Sequence, residues 1–183
     1  MSNKLNVLIA CGGTGGHLFP GVAVAEELDR RGHRAILLIS EKKVDAQGAE
    51  KYGGLAFQTV PAIAKPALLS PKMFPFLLKL WRTVRQCREI LVRNECNAVL
   101  GMGGFTSLPP VLAGKKLGLM TYVHDSNALP GKANRITARW CRKVLLGMSA
   151  AAGYFRGAKV VVTGTPVRQE LAMLPERTCL LYT

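Results

Sequence analysis

Two glycine-rich segments and one histidine are the residues of this sequence best suited to chemistry. The first segment reads Gly12-Gly13-Thr14-Gly15-Gly16-His17, and the second reads Gly101-Met102-Gly103-Gly104-Phe105-Thr106-Ser107. Glycines permit φ > 0 and let backbone N–H groups come close to a ligand, and a helix opening after such a turn adds its positive end. Together these features suit phosphate or another anion. A single turn of this kind also serves as a plain strand-to-helix connection; two on one rim suit the two phosphates of a diphosphate. Two familiar phosphate motifs fail here. Counted from Gly13, the sixth position of a dinucleotide fingerprint is Leu18, and Gly21 is followed by Val22 and Ala23 where a Walker loop needs Lys-Ser/Thr.

His17 falls in the first turn of the helix expected after the first loop. The helix dipole disfavours a positive charge there, so the imidazole is expected to be neutral. A neutral imidazole is what a general base needs to take a proton from a hydroxyl. A capping or loop-stabilising histidine is the other reading of the same residue. The segment His124-Asp125-Ser126-Asn127 is a third candidate, because it also follows an apolar run.

These loops need strands to position them, and the apolar pattern supplies them. Leu5 to Cys11 reads as a buried strand, Gly12 to Gly16 as a loop, and Leu18 to Arg31 as a helix stopped by Gly32. Ala35 to Ile39 is a second strand, which completes a βαβ unit. The alternation continues with strands at Ala56 to Val60, Ala98 to Leu100, Met120 to His124, Lys143 to Leu146 and Lys159 to Thr163. Helices are expected over Lys72 to Arg93, Ser107 to Leu117 and Gly131 to Cys141, and Pro61 to Pro75 reads as an irregular loop. This is an α/β class chain: a mostly parallel sheet with helices on both faces, binding ligands beyond the carboxyl ends of its strands.

The 183 residues suffice for one well-cored domain, and 49% hydrophobic with 20% charged residues is an ordinary globular balance. Five scattered cysteines show neither CxxC pairs nor zinc spacing, which argues against a disulfide framework or a metal site and for reduced thiols. The N-terminus lacks the features of a signal peptide, and no apolar run approaches ~18 residues. The outlier is a formal charge of +14, which points to an anionic partner. Nucleic acid is disfavoured, because the basic residues are scattered, no nucleic-acid motif appears and aromatics are only 7%. In Lys72 to Arg93, Phe74, Leu77, Leu78, Trp81 and Val84 recur at helical spacing, with Lys72, Lys79, Arg82, Arg85, Arg88 and Arg93 around them. That helix reads either as a basic amphipathic element for an anionic membrane surface or as a stripe packed on the sheet with its charges in water.

With these motifs in hand, the sequence resembles a known family. Cys11 to Ala25 (CGGTGGHLFPGVAVA) resembles the N-terminal signature of the MurG family of peptidoglycan N-acetylglucosaminyltransferases. Gly101 to Phe105 resembles its second glycine loop, His124 to Asn127 its His-Glu-Gln-Asn motif, Pro130 to Cys141 the helix that follows, and Gly164 to Arg168 its Gly-Asn-Pro-Val-Arg segment. The resemblance implies the N-terminal, Rossmann-like half of a GT-B fold, spanning residues 1–165, with 166–183 as linker or tail and the C-terminal donor domain absent.

It further implies transfer of N-acetylglucosamine from UDP-N-acetylglucosamine to a polyprenyl-diphosphate-linked acceptor, converting lipid I to lipid II. His17 is implied as the catalytic base. Gly12, Gly13, Thr14, Gly15, Gly16, Gly103, Gly104, Phe105, His124, Asn127 and Asn134 are implied on the acceptor and diphosphate side, and Arg168 toward the donor. No metal or other cofactor is implied, and the implied location is the cytoplasmic face of the bacterial membrane, held peripherally. Three departures bear on the acceptor geometry: Phe105 stands where the family has Tyr, Asp125-Ser126 stand for Glu-Gln, and Leu108-Pro109-Pro110 replace a glycine-rich stretch. A lipid-diphosphate-binding or membrane-docking module that needs a separate donor subunit, and an inactive remnant, are the alternative readings.

Overall fold

A computed structural model describes residues 4–13, 15–42, 45, 49–62, 66, 71 and 73–168. Seven strands form one sheet: β1 (Asn6–Ala10), β2 (Arg34–Ser40), β3 (Ala56–Val60), β4 (Ala98–Gly101), β5 (Met120–Asp125), β6 (Lys143–Leu146) and β7 (Val160–Val162). Their order is β3-β2-β1-β4-β5-β6-β7, and every neighbouring pair is parallel. The α-helices with both ends among the described residues are α1 (Gly15–Arg30), α2 (Met73–Arg93), α3 (Leu108–Lys116) and α4 (Lys132–Thr137).

Parallel strands buried on both faces read as continuous apolar runs, and residue alternation then assigns each side chain to a layer. Leu8, Ala10, Ile36, Leu38 and Val99 point to one face, where they meet Cys87, Ile90 and Leu91 of α2 and Val111 and Ala113 of α3. Val7, Ile9, Cys11, Leu37, Ile39 and Leu100 point to the other and meet Leu18, Val22 and Ala25 of α1. Leu8 is fully buried at the centre of the sheet. Truncating it to alanine removes apolar contacts and leaves a cavity, so Leu8→Ala is expected to cost about 2–5 kcal/mol by chemical denaturation.

The chain progresses outward from β1 through β2 to β3, then crosses back by α2 to place β4 on the other side of β1. The connections therefore diverge between β1 and β4, and the loops leaving these two strands flank that divergence. In open α/β sheets this is where ligands bind. Both glycine loops lie there.

The expected elements are present with shifted edges. The helix after the first loop starts at Gly15, not Leu18, so Gly15 and Gly16 form its first turn. A first turn tolerates glycine because its N–H groups make no intrahelical bond in any case. A 3₁₀ turn over Phe105–Ser107 precedes α3, and Pro109 and Pro110 sit in the first turn of that helix, where missing N–H groups cost nothing. The helix expected over Gly131 to Cys141 is α4 followed by a 3₁₀ turn, Ala138–Trp140. A further 3₁₀ segment, Ser149–Tyr154, follows β6 and has no counterpart in the sequence reading. Most of Pro61 to Pro75 lies outside the described residues, although its last three residues belong to α2. Of the segment 166–183 expected as linker or tail, only 166–168 is described, and it remains tied to the sheet layers through Arg168.

Candidate functional site

The first loop is shaped by close approach. A Cβ on Gly12 would collide with the Ser40 amide nitrogen at the end of β2 and lie 2.9 Å from Ile39 Cα, so only glycine fits. Gly13 has φ +114°, a conformation that side-chain-bearing residues rarely adopt. Its N–H donates to Asp45 Oδ2 at 2.8 Å. The same oxygen accepts from Ser40 N at 3.1 Å and from the Ser40 hydroxyl. Asp45 is 1% exposed, and its other oxygen has no hydrogen-bond partner. Thr14, expected in the site, lies outside the described residues.

The second loop is clasped by its own serine. Ser107 Oγ accepts from Gly103 N at 3.1 Å and donates to Gly103 O at 2.7 Å. Gly103 (φ +132°) and Gly104 (φ +71°) both use the left-handed region. The missing side chain of Gly103 is replaced in space by the His17 ring: a Cβ there would overlap Nε2 and lie 2.5 Å from Cδ2. From the Gly104 side the ring is 3.6 Å away at Cε1. His17 thus reaches from the first turn of α1 across to the second loop and joins the two. Gly13 in turn faces Thr106 Oγ1 at 3.6 Å from its Cβ position.

Burial lowers the His17 pKa below the usual 6.5, while the carboxylates of Asp125 and then Asp45 pull it upward. The direction favours a neutral imidazole, with desolvation rather than the helix dipole as the leading cause. Cys11, at the mouth of the same loop, is buried. Desolvation and then Asp45 raise its thiol far above the ordinary range, so it is no nucleophile at neutral pH.

The third candidate segment behaves differently from expectation. His124 and Asn134, implied on the ligand side, are interior at 2% and 4% exposure. His124 Nε2 donates to Gly164 O at 3.0 Å, which fastens the end of β5 to the segment after β7. Burial again holds its pKa down, against the Gly164 carbonyl and the Asp125 carboxylate. Asn134 Nδ2 donates to Asp125 Oδ2 at 2.8 Å and to His124 O at 3.1 Å. Asp125 also accepts from Asn127 N (2.9 Å) and Gly131 N (3.1 Å), so it folds the turn into α4. Asn127 itself is exposed and Phe105 half-buried.

Arg168, implied on the donor side, is held within this domain. Its Nη1 donates to Tyr52 Oη at 2.8 Å, and its guanidinium lies 5.0 Å from the centre of the Phe19 ring on α1.

The α2 stripe is divided. Its C-terminal half packs inward through Thr83, Cys87, Ile90 and Leu91. Its N-terminal half leaves Phe74 76%, Leu77 53%, Leu78 40% and Trp81 57% exposed. Lys79, Arg82 and Arg85 are exposed beside them, Arg85 within 3.4 Å of Glu89, while Lys72 lies outside the described residues. This helix does not hold most of the charge. Lys132, Arg135, Arg139, Arg142, Arg156 and Lys159 line a groove of about 1120 Å³ between α4 and the segment before β7. Among the described residues none of these six makes an ion pair.

Asp45 is the residue at the first loop that the sequence analysis did not single out. An acid soon after the second strand of a βαβ unit is a known mark of ligand sites in such folds and is the signal that points to Asp45. Ser107 closes the second glycine-rich segment in the sequence, but its clasp on Gly103 has no local signal.

An all-parallel, doubly wound sheet with two glycine loops at its divergence point is a Rossmann-like domain. The glycosyltransferase family 28 N-terminal domain matches residues 7–146, and the chain belongs to that family. It is 35% identical over 176 residues, 96% of its length, to a Psychromonas ingrahamii protein named UDP-N-acetylglucosamine--N-acetylmuramyl-(pentapeptide) pyrophosphoryl-undecaprenol N-acetylglucosamine transferase. A Neisseria gonorrhoeae protein of the same name is 36% identical over the same extent. The chain spans 48% of each of these relatives, about half their length. Among solved structures, Acinetobacter baumannii MurG matches 95% of the chain and 50% of its own, with a TM-score of 0.73 at 22% identity. The UDP-GlcNAc 2-epimerase of Neisseria meningitidis matches 88% and 47%, with a TM-score of 0.66 at 16% identity. These likenesses bear out the expected fold, the Rossmann-like half of a GT-B pair.

Proposed function

We propose that this domain is the acceptor side of an enzyme that transfers N-acetylglucosamine from UDP-N-acetylglucosamine to undecaprenyl-diphospho-muramoylpentapeptide. The observation that carries the reading is the His17 ring seated on Gly103 and Gly104, where the two glycine loops meet. The acceptor diphosphate would lie against the first turn of α1 and the second loop. His17 would take the proton of the sugar 4-hydroxyl as that oxygen attacks the anomeric carbon of the donor. The bond to UDP breaks on the opposite side, inverting the centre, and UDP leaves with its charge stabilised by the donor domain. His124 and Asn134 support this wall from behind through Asp125. Arg168 ties the start of the exit segment down beside α1.

Transfer of labelled sugar from UDP-N-acetylglucosamine to a short-chain lipid I analogue tests this, with the chain alone and with a separately expressed C-terminal half of a relative. Transfer is expected only in the mixture. If the mixture stays silent while the intact relative is active, the reading as an acceptor half fails.

The exposed half of α2 supports peripheral attachment to an anionic membrane at its cytoplasmic face. No helix among the described residues is long and apolar enough to cross a membrane. Each basic residue near an anionic surface contributes ~1 kcal/mol, and buried apolar side chains add to this. Leu77→Ser with Trp81→Ser should therefore weaken binding to phosphatidylglycerol vesicles by tenfold or more, measured by co-sedimentation. Arg82→Ala should weaken it about fivefold, and Arg85→Ala less, because Arg85 shares its charge with Glu89. Unchanged partitioning of the Leu77/Trp81 variant would remove α2 as the anchor.

A further inference from the structure

Asp45 is a buried acid at the back of a loop that, on the reading above, faces a diphosphate. An anion behind an anion site is electrostatically adverse, so its presence needs a reason. Its Oδ2 gathers three donors, Gly13 N, Ser40 N and Ser40 Oγ, from the first loop and the end of β2. The Gly13 N–H is thereby turned away from the ligand and toward β2. Gly12 packs against Ser40 and its neighbour Ile39 in β2 from its Cβ side. The loop is pinned at consecutive residues on one side, while its other side meets Thr106. What remains for a ligand are the amides of the first turn of α1, which a helix leaves without intrahelical acceptors.

The second oxygen of Asp45 is the informative one. It is buried and accepts no hydrogen bond. The bonded oxygen is therefore the one that holds the loop. At the His17 ring the Asp125 carboxylate, and then that of Asp45, act against burial. Arg168, over the Phe19 ring, is the cation placed beside this end of α1.

We propose that Asp45 is a positioning residue for the acceptor site: through Gly13 and Ser40 it fixes the first glycine loop, and with it the start of α1 from which His17 reaches the second loop. The inference rests on the acceptor-side reading and adds a residue to it. Burial keeps His17 neutral and ready to act as a base. The Asp125 and Asp45 carboxylates act against that desolvation, so proton transfer to the ring is not opposed by burial unaided.

The test uses this chain, isotope-labelled, with Asp45→Asn as the near-isosteric variant and Asp45→Ala as the larger deletion. Three quantities are read: exchange of the Gly13 amide, the titration midpoint of the His17 ring by NMR, and affinity for inorganic pyrophosphate. Both variants are expected to speed Gly13 exchange and to move the His17 midpoint downward, since a charge that raised it is gone. Asp45→Ala is expected to weaken pyrophosphate about tenfold through the displaced loop. Asp45→Asn, which keeps an acceptor for Gly13, should weaken it less. If Asp45→Ala does not fold, the His17 midpoint in Asp45→Asn decides. A purely structural acid would leave that midpoint in place, and an unmoved midpoint with unchanged pyrophosphate affinity overturns the proposal. If the parent chain binds no pyrophosphate, the acceptor-site reading fails first and takes the proposal with it.

Discussion

Replacing His17 with alanine in a complete enzyme carrying this domain should lower kcat for sugar transfer about 10²–10⁴-fold, the usual contribution of a positioned general base. KM for the acceptor should change little, because on the proposed reading backbone groups that the substitution leaves in place would hold the diphosphate. The pH profile follows from the direction of the His17 shift. Burial, against the pull of Asp125 and then Asp45, sets its pKa below 6.5. The base form therefore persists below that pH, and the acid limb of kcat/KM is expected beneath it. Activity should fall only as pH drops through this lowered value and should be flat through neutrality on that side. Retention of more than a tenth of kcat in the alanine variant would leave His17 as a loop-joining residue and move the base elsewhere.

The second large effect is expected at Gly103. Alanine there meets two penalties at once. Its backbone sits at φ +132°, which costs roughly 1–3 kcal/mol for a residue with a Cβ. Its methyl would also occupy the space of the His17 ring, 2.5 Å from Cδ2. The ring is the movable partner, so it must swing off the second loop, and a displacement of about 1 Å in a reacting group costs on the order of 10²-fold in rate. Gly118 separates the two penalties. It has φ +73° in the turn before β5, and nothing lies within 4 Å of its Cβ position. Gly118→Ala should lower thermal stability by a similar amount while leaving kcat unchanged. Equal kcat values for the two variants would show that the contact with His17 is catalytically idle.

Much of the architecture was legible because parallel strands announce themselves. Ala56–Val60 and Lys143–Leu146 were bounded correctly from short apolar runs between polar residues. The glycine loops were equally legible, since few sequences place so many glycines directly after a strand without a backbone reason. Other features depend on contacts remote in sequence, and no local pattern encodes them. Asp45 lies 32 residues from the Gly13 amide it binds, within a polar stretch of no periodicity. His124 and Asn134 look like ligand-facing groups because polar residues at a strand end usually are. Their turn inward depends on Asp125 gathering Gly131 and Asn134 from further along the chain. The 3₁₀ segment Ser149–Tyr154 has too few residues to show a helical period. The basic groove at α4 escaped the sequence for a related reason: a basic helix is visible in one dimension, whereas this groove is assembled from two separated segments.

The crossing of the chain from β3 back to β4 also dictates when the site comes into being. β1 pairs with β2 across a separation of 28 residues but with β4 across 91, as in Leu8 against Ile36 and Leu8 against Val99. Closing the longer loop is entropically dearer and slower, so a chain folding from its N-terminus can form β1, α1, β2 and β3 first. At that stage the first glycine loop exists with Asp45 behind it, but His17 has no second loop to rest on. The pocket is completed when β4 docks beside β1. A fluctuation that peels β4 from β1 would erase it while the first βαβ unit survives, so the lifetime of the site is set by the most distant strand pairing on which it depends.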